Sequence, residues 1–584
     1  MSRKTVRYSR RKKRKLSKAP FYVSVVLLLI VCAMVFRTEK PAATPEQTKE
    51  ERKSFENAWI VSAKDNLLIF MADGILMQVQ AEGVTEIKDT LADIEVKNGN
   101  AVRIGVKEDT IRGRVLAVGE DFIEIEGYGK LPLSEHFAAY QVYGELAQKD
   151  YRSILVGYDL QEFIVGDGQV CGAVIKEEVE ATLIRVLIRG DHYEGETHER
   201  LVFLSSEAMN LVYGEQQRRI EPGAELVLDI NSEELASGRV RLSTESGEGM
   251  ITVTSLQRAQ GNPSYYGSFE IDRQESGLTL VNEVDLEKYL YFVVPSEMPA
   301  SYGVEALKAQ AVCARSYACR HILANSLSAY GAHVDDSSGY QVYNNYPSAE
   351  MSNRAVDETK GQIMSYEGEI VQAYYFSTSC GFTTDADIWS ADFSLPYIQG
   401  RRVYQEEGES DFFSAITDWE YPAYEKDFPW YRWYVNFSLE ALDNCVSVAG
   451  LSDAVGKVTG LEVSMRGKNG VAKAITVIGE KGSAVIEKEY QIRKFLCPLG
   501  LSLHRKDGVV LTDFSLLPSG FFLVREILEN GAVTGYRLDG GGFGHGAGMS
   551  QNGAKAMADQ GMSYQDILKF FYQGIEIKPF SDAN

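Results

Sequence analysis

Glu297 sits between two prolines, in the run Val294-Pro295-Ser296-Glu297-Met298-Pro299, with apolar residues beside it. A carboxyl in such company is readily desolvated, and desolvation raises its pKa, so that it keeps a proton near neutrality and can act as a general acid. The bare run fits a solvated or helix-capping glutamate as well. Asp285 and Asp336 are the candidates for a second carboxylate, which a water-activating or nucleophilic glycosidase mechanism would need. Ser377, Thr378 and Ser379 offer hydroxyls, but no G-x-S-x-G elbow surrounds them and His545 has no evident orienting acid, so serine-hydrolase chemistry is poorly supported. Residues 540–548 hold six glycines, interrupted by Phe543, His545 and Ala547. Such a loop permits positive φ and close backbone approach. It is not a phosphate cradle, since no Lys-Ser/Thr follows it and no clear βαβ unit precedes it.

The elements that must hold these groups are mixed. Val304, Leu307, Ala311, Ala314, Ala318 and Ile322 recur at steps of three and four, which predicts a helix over 304–325 that packs closely through its alanines. Residues 181–283 and 59–180 are both rich in short alternating runs broken by Gly and Asp, which predicts strands and tight turns. A last helix is expected over 564–572. The fold class expected is α+β: a catalytic domain over 181–580, mainly antiparallel sheet with one prominent helix and the Gly-rich loop, preceded by a small all-β domain over 58–180.

Charge is distributed unevenly. The net charge is -22, yet residues 1–18 carry ten Lys or Arg and no acid. An acidic body argues against a nucleic-acid partner, which needs a basic surface. The basic tail precedes an uncharged run over 19–36, which reads as a signal-anchor at the short end of what spans a bilayer. Residues 1–18 are then cytoplasmic and the body lies outside the membrane. A cleaved signal peptide is the rival reading, but no small-x-small cleavage site follows the run. Residues 37–57, charged and with two prolines, are expected to form a stalk. Seven cysteines without a CxxC give neither a disulfide framework nor metal-ligand spacing, and no metal or cofactor is expected.

Four ordered blocks carry a resemblance. "LEKYLYFVVPSEMPASYGVEALKAQAVCARSYA", "DSSGYQVY" (336–343), "YYFSTSCGFTTDADIWS" (374–390) and "GGGFGHGAGMSQNGAKAMADQGMSYQDILKFFY" (540–572) are similar to those of the SpoIID/LytB family, stage II sporulation protein D and its relatives. The resemblance covers roughly 184–576 and leaves the small β domain outside the shared core. It implies a lytic transglycosylase acting on peptidoglycan glycan strands, in sporulating members on strands stripped of stem peptides. Its acid/base is the glutamate of the SEMP-like run, Glu297. One carboxyl then suffices, because it protonates the glycosidic oxygen between MurNAc and GlcNAc and takes back a proton from the sugar's own C6 hydroxyl. Asp336, Gln341, Tyr343, Ser377, Ser379, His545 and Gln551 are expected to supply the glycan-binding shell, with Tyr343 and Trp389 as stacking surfaces. Some members bind zinc through Cys and His in the block matching 332–343. Here His333 is present without a thiolate, so a closed zinc site is not expected. LytB-like proteins are also associated with enhancing a cell-wall amidase, and a non-catalytic enhancer or wall-binding protein is the alternative.

Overall fold

The computed structural model describes residues 51–390, 392–404 and 411–582. The basic tail and the anchor over 1–36 lie outside the described residues, as does most of the stalk. Among the described residues no helix is long and apolar enough to cross a membrane.

The region expected as a small β domain over 58–180 is built of two sheet bodies that share a layer of Trp59, Leu91, Tyr140 and Ile164. Strands Arg52–Lys64, Leu67–Ala72, Ile75–Gln80, Ile87–Lys97 and Asn100–Lys107 close into a barrel around Ile60, Leu68, Phe70 and Ile94. Its two-residue turns Asp65-Asn66, Asp73-Gly74 and Asn98-Gly99 all have positive φ, the geometry that matches strand twist in a hairpin. The stalk expected over 37–57 needs correction at its end, because residues 52–57 already belong to the barrel's first strand. Charged side chains such as Arg52, which pairs with Glu95, hid that strand's alternation. A seven-stranded sheet follows, from Thr110–Ile111 to Gln169–Ile175, with its own core of Val115, Ile123 and Phe163.

The third body holds the candidate acid. Leu183–Leu187 pairs antiparallel with Gly277–Asp285 and parallel with Val334–Asp335. Strand Gly277–Asp285 runs directly into helix α1 (Leu286–Glu297), whose N-terminus is capped by Asp285 accepting from the amides of Glu287 and Lys288. Helix α2 (Val304–Ala324) is the long helix that the periodicity predicts. It is buried on nearly every side, and not along one stripe alone, because Glu350–Glu358, α3 (Gln551–Asp559) and α4 (Tyr564–Phe571) all pack on it. The alanines permit that crowding.

A further body between about 430 and 540 has a separate core of Trp433, Phe437, Leu461, Ile475 and Phe522, in a five-stranded and a three-stranded sheet. Residues as far as Ile416 still pack in the core of the third body, and the C-terminal segment rejoins it from Ala547; strands Tyr375–Phe376 and Met549–Ser550 pair in parallel.

Buried charge joins the second body to the third. Arg185, fully buried, pairs with Glu270 and Glu283; Arg114 reaches the same two carboxylates from the second body, and Arg239 reaches back to Glu124 at 2.9 Å. The three arginines hold Glu270 down to about 2 against the cost of its burial. Gly331 is required at this seam, since a Cβ there would lie 2.3 Å from the carbonyl oxygen of Leu116.

Candidate active site

Glu297 is the last residue of α1 and not part of a free turn. Pro295 lies within the helix's final turn, where its missing N–H costs only one backbone bond, and Pro299 stops the chain from continuing as helix. The helix therefore delivers Glu297 from a rigid element.

Its carboxyl is surrounded by phenols and amides. The Val342 N–H donates to Oε1 at 2.8 Å, and the Tyr375 hydroxyl is near enough to lower the carboxyl's pKa. Gln341 Nε2 donates to Tyr375 Oη at 3.3 Å, while its Oε1 accepts from Tyr289 at 3.3 Å. Because Tyr375 receives Gln341's proton, its own proton is directed at Glu297. The chain Tyr289, Gln341, Tyr375, Glu297 thus has one polarity. Burial drives the Glu297 pKa up to about 7, and the two donors only partly oppose it. Gln551, at the start of α3, donates to the Glu297 backbone carbonyl at 3.0 Å and fixes the helix end.

Among the described residues, neither candidate for a second carboxylate shares this position. Asp285 is at the other end of α1, twelve residues and so about 18 Å away along the axis. Asp336 is fully buried, bonded to Arg258 at 2.6 Å and to the Arg189 amide at 3.0 Å.

Several expected glycan contacts are bracing groups instead. Tyr343 is fully buried, stacked near Tyr289 and bonded to Asn282, so it offers no face to a sugar. Gln341 and Asp336 are closed off in the same way and act through Tyr375 and Arg258. Ser379 is buried, its amide donating at 2.7 Å and its hydroxyl also bonding to Glu425. Glu425 takes the Ser550 hydroxyl too, at the head of α3; burial raises it to about 7. That carboxyl, in a segment without resemblance to the family's blocks, carried no signal in the sequence. Both nitrogens of His545 are spent, one with the carbonyl of Tyr375 at 3.0 Å and one with the amide of Ala547 at 3.2 Å, and burial holds the ring neutral, near 4. It shapes the Gly-rich loop. Ser377 and Trp389 remain half-buried, with Trp389 packed at 4.4 Å on Tyr374. Tyr375 was overlooked, although its place in the "YYFSTS" strand, two residues before Ser377, puts both on one face.

His333 is buried between the amide of Arg185 and the carbonyl of Val156. Among the described residues no three His, Cys, Asp or Glu side chains converge as metal ligands.

Fold and site together define an α+β protein with a carboxyl of raised pKa on the end of a rigid helix. The family model for stage II sporulation protein matches residues 274–366, which span α1, α2 and the Val342 segment. Stage II sporulation protein D of Bacillus amyloliquefaciens is 32% identical over 314 residues, covering 51% of this chain and 75% of that protein. Its counterpart in Bacillus subtilis (strain 168) is 31% identical over 315 residues, with the same coverage. A Bacillus subtilis protein described as an amidase enhancer is 30% identical over 306 residues, 49% of this chain and 40% of that one. The chain belongs to the stage II sporulation protein D family.

Proposed function

We propose that this protein is a peptidoglycan lytic transglycosylase in which Glu297 is both general acid and general base. Family membership supports a cell-wall-related role. The observation that carries the finer reading is a solitary carboxyl raised to about 7. It gives its proton to the glycosidic oxygen as the C1–O bond breaks. The carboxylate left behind is held by the Val342 amide and the Tyr375 hydroxyl, and then takes the C6 hydroxyl proton as O6 bonds to C1. The product is a 1,6-anhydro-MurNAc end, and no activated water is used. Mass analysis of digested glycan strands, with and without stem peptides, tests this. Anhydro ends are expected, one water lighter than the reducing ends of a hydrolase, which would refute it.

The reaction starts from protonated Glu297, so kcat/KM should fall as pH rises through about 7. Tyr375 lowers the Glu297 pKa; Tyr375→Phe should therefore move that alkaline limb upward while reducing the plateau rate by about 10- to 100-fold, the worth of one hydrogen bond to a charged group. An unmoved limb would show that Tyr375 does not bond to the acid.

The similarity to an amidase enhancer favours a second reading, in which the protein stimulates a cell-wall amidase. No cleavage of either strand type, together with faster amidase turnover on its addition, would establish that one. In both readings residues 19–36 anchor the chain and the body lies outside the cell membrane. Protease added to wall-stripped cells should then digest the body; its protection in sealed cells would refute the orientation.

A further inference from the structure

Residues 342–346 cross the end of α1 as a pinned loop. The Val342 amide meets the Glu297 carboxyl at 2.8 Å, and the amides of Asn345 and Tyr346 both meet Ser296 Oγ at 3.1 Å. Ser296 Oγ is available as an acceptor because its own proton goes to the Phe292 carbonyl at 2.6 Å. Between these bonds Asn344 takes a left-handed backbone, with φ of 62°, which asparagine tolerates better than most residues. Its side-chain amide donates to the Ser264 carbonyl, and Asn345 Oδ1 accepts the Ala259 amide at 3.2 Å. The loop is therefore fixed from both sides.

Tyr343 and Asn344 are buried, whereas the other residues of the loop reach the surface, and Tyr346 is the most open of them at 45% exposed. Among the described residues no ring stacks on it and no side chain bonds its hydroxyl. The end of α1 comes to the surface beside it, with Ser296 and Glu297 half-buried and Pro299 exposed. The Tyr346 amide is 3.1 Å from Ser296 Oγ, and Glu297 lies one Cα step of about 3.8 Å beyond Ser296, so the tyrosine stands within about two sugar units of the carboxyl. An exposed tyrosine carries no meaning by itself. This one rides on backbone whose polar groups are spent on the protein, so little is left to order when a ligand arrives. A tyrosine ring offers a flat, stiff, amphipathic face that suits the C–H face of a pyranose. Its neighbours cannot serve in this way: Tyr343 is buried, and Tyr340, on the other side of Val342, packs edge-on against His321 at 5.0 Å.

We propose that Tyr346 is a substrate-contacting, specificity-determining residue, whose ring stacks on a sugar of the glycan strand flanking the pair joined at Glu297. No movement of the loop is required, since the ring is already exposed. The contact is remote from the bond that breaks and is the same before and during its breaking. It therefore sets how tightly a strand is held and leaves the rate of the bond-breaking step alone. Ser296 and Asn344 are positioning residues in this account. They hold the loop and touch no sugar.

The inference rests on the glycan-cleaving reading, and the test separates the two by measuring binding in protein that cannot turn over. Peptide-free GlcNAc–MurNAc strands are titrated onto Glu297→Gln protein, alone and combined with Tyr346→Phe or Tyr346→Ala. The alanine should weaken binding by about tenfold, the contribution of one well-placed aromatic anchor, and the phenylalanine by less than about twofold because it keeps the ring. Unfolding midpoints should match, as expected for a change at an exposed side chain. With Glu297 in place, Tyr346→Ala should raise KM by a similar factor and leave kcat within about twofold of the parent. Equal losses for phenylalanine and alanine would assign the contact to the hydroxyl and overturn the stacking. Unchanged binding by the alanine variant, or a fall in kcat without a change in affinity, would overturn the inference altogether. Should the parent protein bind strands through Tyr346 and never cut them, the cleavage reading fails while the inference stands; a protein that bound no strands would refute the inference.

Discussion

Glu297→Gln is expected to abolish formation of anhydro ends almost completely, lowering turnover by about 10²- to 10⁴-fold, the usual worth of a general acid/base. The change is nearly isosteric. The amide oxygen can still accept from the Val342 N–H, so α1 should end where it does and the unfolding midpoint should hardly move. What is lost is the proton and the ability to retake it. In the parent protein burial keeps Glu297 half-protonated at about pH 7, whereas the glutamine has nothing to give at any pH. The parent's pH dependence should therefore vanish along with the rate. A variant that retained more than about a tenth of the activity would remove Glu297 from the chemistry.

The largest effect on stability is expected at the seam between the second and third bodies. Arg185→Met removes a fully buried partner shared by Glu270 and Glu283 and leaves two carboxylates with less compensation. Breaking a buried ion pair from one side costs about 3–5 kcal/mol, well beyond the effect of a typical surface substitution. Denaturant unfolding near pH 7 should show the loss. The pH dependence has a definite sign. Glu270 is depressed in the folded protein to about 2, so its contribution is fully present above its ordinary value of 4.5 and is lost as pH falls toward 2. The gap between parent and variant should accordingly be wide at neutrality and narrow in acid. A gap independent of pH would mean that Arg185 stabilises through packing alone.

Much of the site was legible in the sequence and much of its working was not. The four blocks pointed to Glu297, and the periodicity to α2, because an acid's neighbours and a helix's alanine face are local patterns. Two prolines within five residues argue locally against helix at 295–299, yet α1 runs through Pro295 and ends at Glu297, held there by contacts distant in sequence such as Gln551 on the Glu297 carbonyl. Asp336, Gln341 and Tyr343 are polar residues inside a family-like block, which suggests contact with substrate. Their burial is decided by strands distant in sequence, and only the fold shows that one holds Arg258 and another orients Tyr375. The separate core between about 430 and 540 is built on strands such as Val458–Arg466 and Ala532–Gly540, and nothing in their local pattern shows that they close a core of their own. Nothing local marks Glu425 as the residue that ties Ser379 to the head of α3.

The parallel pairing of Tyr375–Phe376 with Met549–Ser550 has a temporal consequence. Contacts so far apart along the chain carry a large closure entropy and form late in folding. Gln551, which fixes the carbonyl of Glu297, arrives with the returning strand, and Tyr375 is held against that strand. A newly made chain can thus fold its barrel, its sheets and α1 while its acid is still loosely held. The setting of the Glu297 carboxyl is complete only when the C-terminal segment has docked, and a chain cut short before α3 would lose the two helices that cover α2 as well.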